Sequence, residues 1–172
     1  MAIHKSILLQ ILKDIYSDTT IGPILGFKGG TAAYLLYGLG RFSVDLDFDL
    51  LDDTQADHVY NNLGNILPEY GKVREKHKKF HTLFFMLPYE TKARNVKIEI
   101  NRRKSVSRYE IKSYLGISMK VMVREDMFAN KLVAMTERMG RTKRDIYDTW
   151  FFLKHNWPVN TAIVEKRTSL SF

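Results

Sequence analysis

The sequence predicts an α+β fold: a mixed sheet flanked by helices, with a short helical part at the C-terminal end. Three observations lead there. Residues 4–17 carry Ile7, Leu8, Ile11, Leu12 and Ile15 at the i, i+3, i+4, i+7 spacing of an amphipathic helix. Two later segments, Ser43–Leu50 and Val96–Ile100, alternate apolar and polar residues with the period of a half-buried strand. Beyond Arg124 the period returns to that of helices. Strands grouped between helices, rather than alternating with them one by one, argue for α+β organisation.

The elements follow in order. After the first helix, Thr19–Pro23 reads as a break and Ile24–Lys28 as a short strand or turn leading into Gly29-Gly30. Thr31–Leu39, rich in Ala, Leu and Tyr, reads as a helix ended by Gly38 and Gly40. Ser43–Leu50 places Val44, Leu46, Phe48 and Leu50 on one face and Ser43, Asp45, Asp47 and Asp49 on the other. Asp53 or Thr54 is expected to cap a helix over 55–67 that Pro68 ends. Strands are expected near 70–76, 80–87 and 94–101, and further extended chain over 108–123 with a turn near Gly116. Arg124–Met139 is expected to be helical, with Met127, Phe128, Leu132 and Met135 on one side, before a break at Gly140. A second helix over Thr142–His155 ends at Trp157-Pro158, and Thr161–Phe172 has no clear element. The organisation expected is a core over 1–123 with a helical part, 124–172, packed on it as one compact unit.

Composition narrows the function classes. The chain has 172 residues, no cysteine, and a net charge of +8 from 27 Lys and Arg against 19 Asp and Glu. Disulfides and thiolate metal sites are excluded. No apolar run approaches the ~20 residues of a membrane span, and the N-terminal stretch lacks the features of a signal peptide; a cytoplasmic location is expected. The basic charge favours an anionic partner, a nucleotide or a nucleic acid.

The chemistry concentrates in KGGTAAYLLYGLGRFSVDLDF, residues 28–48. Alternate strand residues lie on one face about 6.5–7 Å apart at Cα, so Asp45 and Asp47 can lean together around one hard cation. Mg²⁺ favours few carboxylates and completes its shell with water and phosphate oxygens. Paired ions roughly 3.5–4 Å apart clamp an in-line displacement at phosphorus. A third carboxylate is available in Val96-Lys97-Ile98-Glu99-Ile100: if this strand pairs with the first, Glu99 stands beside the aspartates as a metal ligand or as the base for an attacking hydroxyl. Lys97 shares that face, where it either offsets the carboxylates, touches phosphate or is an ordinary exposed lysine. Gly29-Gly30 lets backbone amides approach a phosphate with no Cβ in the way, the following helix offers unpaired N–H groups, and Thr31 adds a hydroxyl. The spacing is not that of a P-loop or of a dinucleotide-binding fingerprint. Arg41, just ahead of the acidic strand, is placed to meet phosphate. Alternating aspartates can also be simply the wet face of a strand. The histidines at 4, 58, 77, 81 and 155 show no ligand spacing and read as structural or solvated. Lys76–Lys79 and Arg102-Arg103-Lys104 are basic clusters, either solvated or contacts for RNA phosphates.

Gly29-Gly30-Thr31, thirteen residues, then Asp45-Leu46-Asp47 resembles the signature of the polymerase-β-like nucleotidyltransferase superfamily. The fuller stretch, with Lys28, Gly29, Gly30, Thr31, Arg41, Ser43, Asp45, Asp47 and Phe48, resembles the AbiEii/AbiGii-type nucleotidyltransferase toxins of type IV toxin–antitoxin and phage-defence systems. The resemblance runs from about 25 to 153. Lys97-Ile98-Glu99 is similar to the second motif of that branch, with glutamate in place of aspartate. Lys131, in a helix, and Arg144-Asp145-Ile146-Tyr147-Asp148 look like its later motifs.

The resemblance implies the polymerase-β-like fold and transfer of a nucleotide from an NTP, with Mg²⁺ or Mn²⁺, to RNA, in several members the 3′ end of tRNA. It also implies a toxin with a cognate antitoxin. Asp45, Asp47 and Glu99 would then be catalytic and metal-binding, and Lys131 and Asp145 would join them. Lys28, Gly29, Gly30, Thr31, Arg41, Ser43, Lys97 and Arg144 would bind the nucleotide. From the residues alone, Lys131 reads as a lysine snorkelling to solvent, Arg144 and Asp148 as a surface ion pair, and Asp145 as a group that binds a basic partner or orients Lys131. Members of the branch usually have a larger helical C-terminal part, which implies either reduced acceptor recognition here or a tail beyond these residues. Two readings stand beside this one: the same fold acting on a small-molecule alcohol or a protein hydroxyl, and a catalytically inactive binding module.

Overall fold

The computed structural model describes residues 2–88, 95–138 and 142–168. Seven strands form one mixed sheet in the order β3-β4-β5-β2-β1-β7-β6. They are β1 (Leu25–Lys28), β2 (Leu46–Leu50), β3 (Glu75–Lys78), β4 (Thr82–Pro88), β5 (Asn95–Asn101), β6 (Tyr109–Tyr114) and β7 (Ile117–Met122). The helices are α1 (Ala2–Ser17), α2 (Gly29–Tyr37), α3 (Ala56–Ile66), α4 (Arg124–Glu137), α5 (Lys143–Lys154) and α6 (Thr161–Thr168).

The chain divides into two units, one of residues 1–105 with 111–121 and one of residues 106–110 with 122–172. In the first, alternation decides which side of the sheet is buried. Val96, Ile98 and Ile100 of β5 and Leu83, Phe85 and Leu87 of β4 are fully buried. So are Leu46 and Phe48 of β2, and Leu8, Ile11, Leu12 and Ile15 of α1. The first helix is thus the amphipathic one its spacing predicts, with a core stripe of four residues. Gly38 caps α2 in the left-handed conformation, φ +72°, donating to the Ala33 carbonyl.

Several boundaries differ from expectation. β2 begins at Leu46, so Ser43 and Asp45 lie in the approach to the strand and not in its ladder. Pro68 does not stop the chain turning: α3 runs into a 3-10 turn over Leu67–Tyr70 with Pro68 inside it, because the missing N–H of a proline costs nothing in a first turn. Residues 70–74 are outside β3.

In the second unit, α4 buries Asp126, Met127, Phe128, Ala129 and Val133, a stripe shifted from the predicted one, with Leu132 only partly buried. The shift follows from α6, a helix that the sequence did not announce. Ile163 and Val164 of α6 close a core with Ala129 and Val133. The break at Gly140 and residues 169–172 lie outside the described residues. Among the described residues no helix is long and apolar enough to cross a membrane.

Candidate active site

The first unit builds its site from β1, the turn into α2, β2 and β5. β2 is central, antiparallel to β1 and parallel to β5, and the register sets Lys28 opposite Asp47 and Asp47 opposite Glu99. The pairing on which the acidic arrangement depended is therefore present. Asp45 and Asp47 are half-buried, and Glu99 and Lys97 are exposed on the open side of the sheet.

The two glycines work by lacking a side chain. Gly29 has φ +80°, and a Cβ there would stand 2.5 Å from Oδ2 of Asp47 and 3.1 Å from its Cβ. At Gly30 a Cβ would stand 2.6 Å from Nη2 of Arg41 and 3.1 Å from Oγ of Ser43. The turn thus seats a carboxylate and a guanidinium against successive backbone positions at the start of α2. Unpaired helix N–H groups and an arginine fork side by side suit a phosphate.

Thr31 takes a different position from the one expected of a ligand-facing hydroxyl. It is fully buried; its Oγ1 donates to the Asp45 carbonyl and lies 2.9 Å from Ser43 Oγ. It ties α2 to the segment that delivers Asp45. Lys28 is likewise committed: its Nζ lies 2.6 Å from Oδ1 of Asp49, to which Asn101 Nδ2 also donates at 2.6 Å. Asp49 is almost fully buried, so Lys28 neutralises a carboxylate that would otherwise be costly there.

Asp47 and Glu99 present carboxylates on one side of a strand pair, and Asp45 lies in the approach to it; carboxylate donors suit a hard divalent cation. Among the described residues, however, no three acidic or histidine side chains gather closely enough to hold a metal ion. The three carboxylates do not form a closed cage; such a set fits a cation that takes the rest of its shell from water and phosphate.

The second unit holds a polar cluster of its own. Lys131 Nζ lies 2.9 Å from Oδ1 of Asp145 and 3.0 Å from Oδ2 of Asp148, and Arg138 Nη2 lies 3.3 Å from Oδ2 of Asp145. Burial would raise the Asp145 carboxyl, but bonds from Thr142 and Lys131, with the charges of Lys131 and Arg138, outweigh it and hold it below its ordinary value. Lys131 is therefore clamped between two carboxylates instead of snorkelling. Asp148 is fully buried, not a surface partner for the exposed Arg144. Asp126, overlooked in the sequence, is a second buried hub. It accepts from the Arg108 backbone and guanidinium and from Asn160 Nδ2, and these bonds overcome burial to lower its pKa.

The basic clusters divide. Arg102 is bound to Asp53 and to the Lys79 carbonyl, Lys78 to Asp57, and Lys76 lies over the Tyr60 ring. These three have partners on this chain. His77, which reads from sequence as structural or solvated, stands on the open side of the sheet with its ring stacked on Phe84, centroids 6.0 Å apart. The available signal was Leu83–Leu87, five apolar residues in a row, a sign that both faces of a strand avoid water.

The family model of the AbiEii nucleotidyl transferase toxin, of type IV toxin–antitoxin systems, matches residues 10–169. The chain belongs to this family. Two crystal structures from Helicobacter pylori resemble this AbiEii-family chain at 27% identity. JHP933 superimposes with TM-score 0.63, covering 90% of this chain and 66% of that one. A putative nucleotidyltransferase has TM-score 0.64, covering 90% and 68%. MenT4, a nucleotidyltransferase toxin from Mycobacterium tuberculosis, shares the fold at 20% identity and TM-score 0.62, covering 93% and 61%. The AbiEii-family chain thus spans about two thirds of the length of these structures. Comparison with curated proteins gave no match. The mixed sheet with a helical C-terminal part is the nucleotidyltransferase fold.

Proposed function

We propose that this AbiEii-family chain is a nucleotidyltransferase that moves a nucleotide from an NTP to an RNA acceptor, with the 3′ end of tRNA as the favoured class, and that it acts as the toxin of a toxin–antitoxin pair. One observation carries the reading: Asp47 lies between Glu99 on one side and the Gly29-Gly30 turn with Arg41 on the other. This order supplies what phosphoryl transfer needs, a phosphate seat, a cation-binding carboxylate and a proton acceptor, in line.

The turn amides and Arg41 would hold the triphosphate. Asp45 and Asp47, with Glu99 at the edge, would hold Mg²⁺ or Mn²⁺. A divalent cation there would neutralise the carboxylates and polarise the phosphoryl group. Glu99 would accept the proton of the acceptor hydroxyl as its oxygen bonds to the α-phosphorus. The bond from that phosphorus to the β-phosphate bridging oxygen breaks, and pyrophosphate leaves. Thr31 and Ser43 position Asp45, while Lys28 acts through Asp49. The net charge of +8 favours RNA over a small alcohol.

The test is incubation with each labelled NTP, a divalent cation and total RNA, with protein and small-hydroxyl fractions run alongside. Label is expected in RNA, and Asp45→Ala and Asp47→Ala are each expected to lose at least about a thousandfold in rate and to relieve growth arrest. Full activity in either variant overturns the reading; label in protein or in a small alcohol instead of RNA overturns the acceptor.

A further inference from the structure

The open side of the sheet continues past the carboxylates in the same register. Glu99 is paired with Phe84, and Phe84 with His77. The row across the sheet therefore reads Lys28, Asp47, Glu99, Phe84, His77. The Phe84 and His77 rings are stacked with an interplanar angle of 16°. Around them lies an open cavity of about 380 Å³ lined by Glu75, His77, Lys79, Thr82, Phe84 and Glu99, within the rough 300–1,000 Å³ range of small-ligand pockets.

The row has a direction. Phosphate would enter at Gly29-Gly30, on the β1 flank of Asp47. Glu99 stands on the opposite flank, so a hydroxyl giving it a proton arrives from the β5 side, and the body of the acceptor lies over β4 and β3. What awaits it is an aromatic shelf with a lysine at its rim. Glu75 and Glu99 also line the cavity, so the rings and not the charge distinguish it from a seat for a polyamine-type alcohol, which has no need of them. An exposed ring backed by a second one, beside an ammonium, suits a nucleobase followed by a phosphate, and stacking of this kind tolerates any base.

We propose that this cavity seats the terminal nucleoside of a single-stranded RNA acceptor, its base on Phe84 and His77 and the adjoining phosphate at Lys79. The proposal rests on nucleotidyl transfer only for the direction from which the hydroxyl comes, and its test needs no turnover. Binding of a fluorescent single-stranded RNA oligonucleotide is measured without NTP, against the same oligonucleotide with an abasic 3′-terminal ribose. The wild type is expected to prefer the base-bearing end on the order of 10- to 100-fold. Phe84→Leu, which keeps an apolar side chain on the strand, and His77→Ala are each expected to shrink that preference to within about threefold, with melting temperature checking the fold. Asp47→Asn is expected to retain it while losing transfer, so an enzyme without transferase activity can still show the shelf. No preference in the wild type, or a preference intact in both shelf variants, overturns the proposal.

Discussion

Gly29→Ala separates what the Gly-Gly turn does for the fold from what it does for Asp47. An L side chain at φ +80° costs roughly 1–2 kcal/mol, which for a chain of this size lowers Tm by about 2–8 °C. The new Cβ also meets Oδ2 of Asp47 at 2.5 Å, so the carboxylate must retreat by roughly 0.9 Å to reach the 3.4 Å of ordinary contact. A displacement of about 1 Å at a reacting centre costs on the order of 100-fold in rate. Gly38 provides the matched control. Its φ is +72°, but among the described residues a Cβ there meets nothing within 4 Å. Gly38→Ala should therefore show a similar fall in Tm with transferase activity within about threefold of wild type, while Gly29→Ala loses about 100-fold more. The measurements are thermal melts and kcat/KM for label transfer, made well below both melting temperatures. Equal activities in the two variants would refute the argument that the turn exists to seat Asp47.

Other outcomes are expected from the buried polar groups. Lys131→Met leaves the Asp145 and Asp148 carboxylates without their ammonium, and urea melts should show a loss of about 3–5 kcal/mol; a wild-type midpoint with activity lost would instead make Lys131 a catalytic group. Asp145 and Asp126 have depressed folded-state values. Their stabilisation is therefore fully present well above the ordinary carboxyl value of 3.8 and drains away as pH falls through the lower folded values. Asp145→Asn should accordingly flatten the fall in stability between about pH 5 and pH 2, and an unchanged slope would refute the assignment. Among the described residues Thr149 Oγ1 is buried with no hydrogen-bond partner, so Thr149→Val should be neutral or should stabilise by up to about 1 kcal/mol, read from the same melts.

Much of the site was legible because its parts are local. Alternation in Ser43–Leu50 and Val96–Ile100, and a glycine pair thirteen residues ahead of Asp45, are patterns within single segments. The register was not legible. Asp47 and Glu99 are 52 residues apart in the chain, and a strand's pattern names its faces but not its neighbour. The fate of individual cations was hidden for the same reason. Lys131 offered two readings, exposed tip or site, and the exposed tip is excluded because Asp145 and Asp148 of another helix are turned toward it. α6 escaped notice because its eight residues offer only two apolar contacts, Ile163 and Val164, and so short a helix depends on packing rather than propensity.

The three aspartates of β2 and its approach show how one alternating pattern divides into different roles. Three carboxylates at successive alternate positions repel one another, and a fold can bear them only if something neutralises each. Asp49 is neutralised from within, by Lys28 of β1 and by Asn101 of β5, and its burial closes it to ligands. That ties Lys28 to Asp49 and holds the strand at both flanks. Asp47 is seated over Gly29, and Asp45 is held by its own carbonyl through Thr31. Both are half-buried, and Asp47 stands beside Glu99 on the open side, with Arg41 over the next glycine. The same alternating pattern therefore carries a buried carboxylate that serves the fold at Asp49 and half-buried ones at Asp45 and Asp47, the two that the proposed reaction would use.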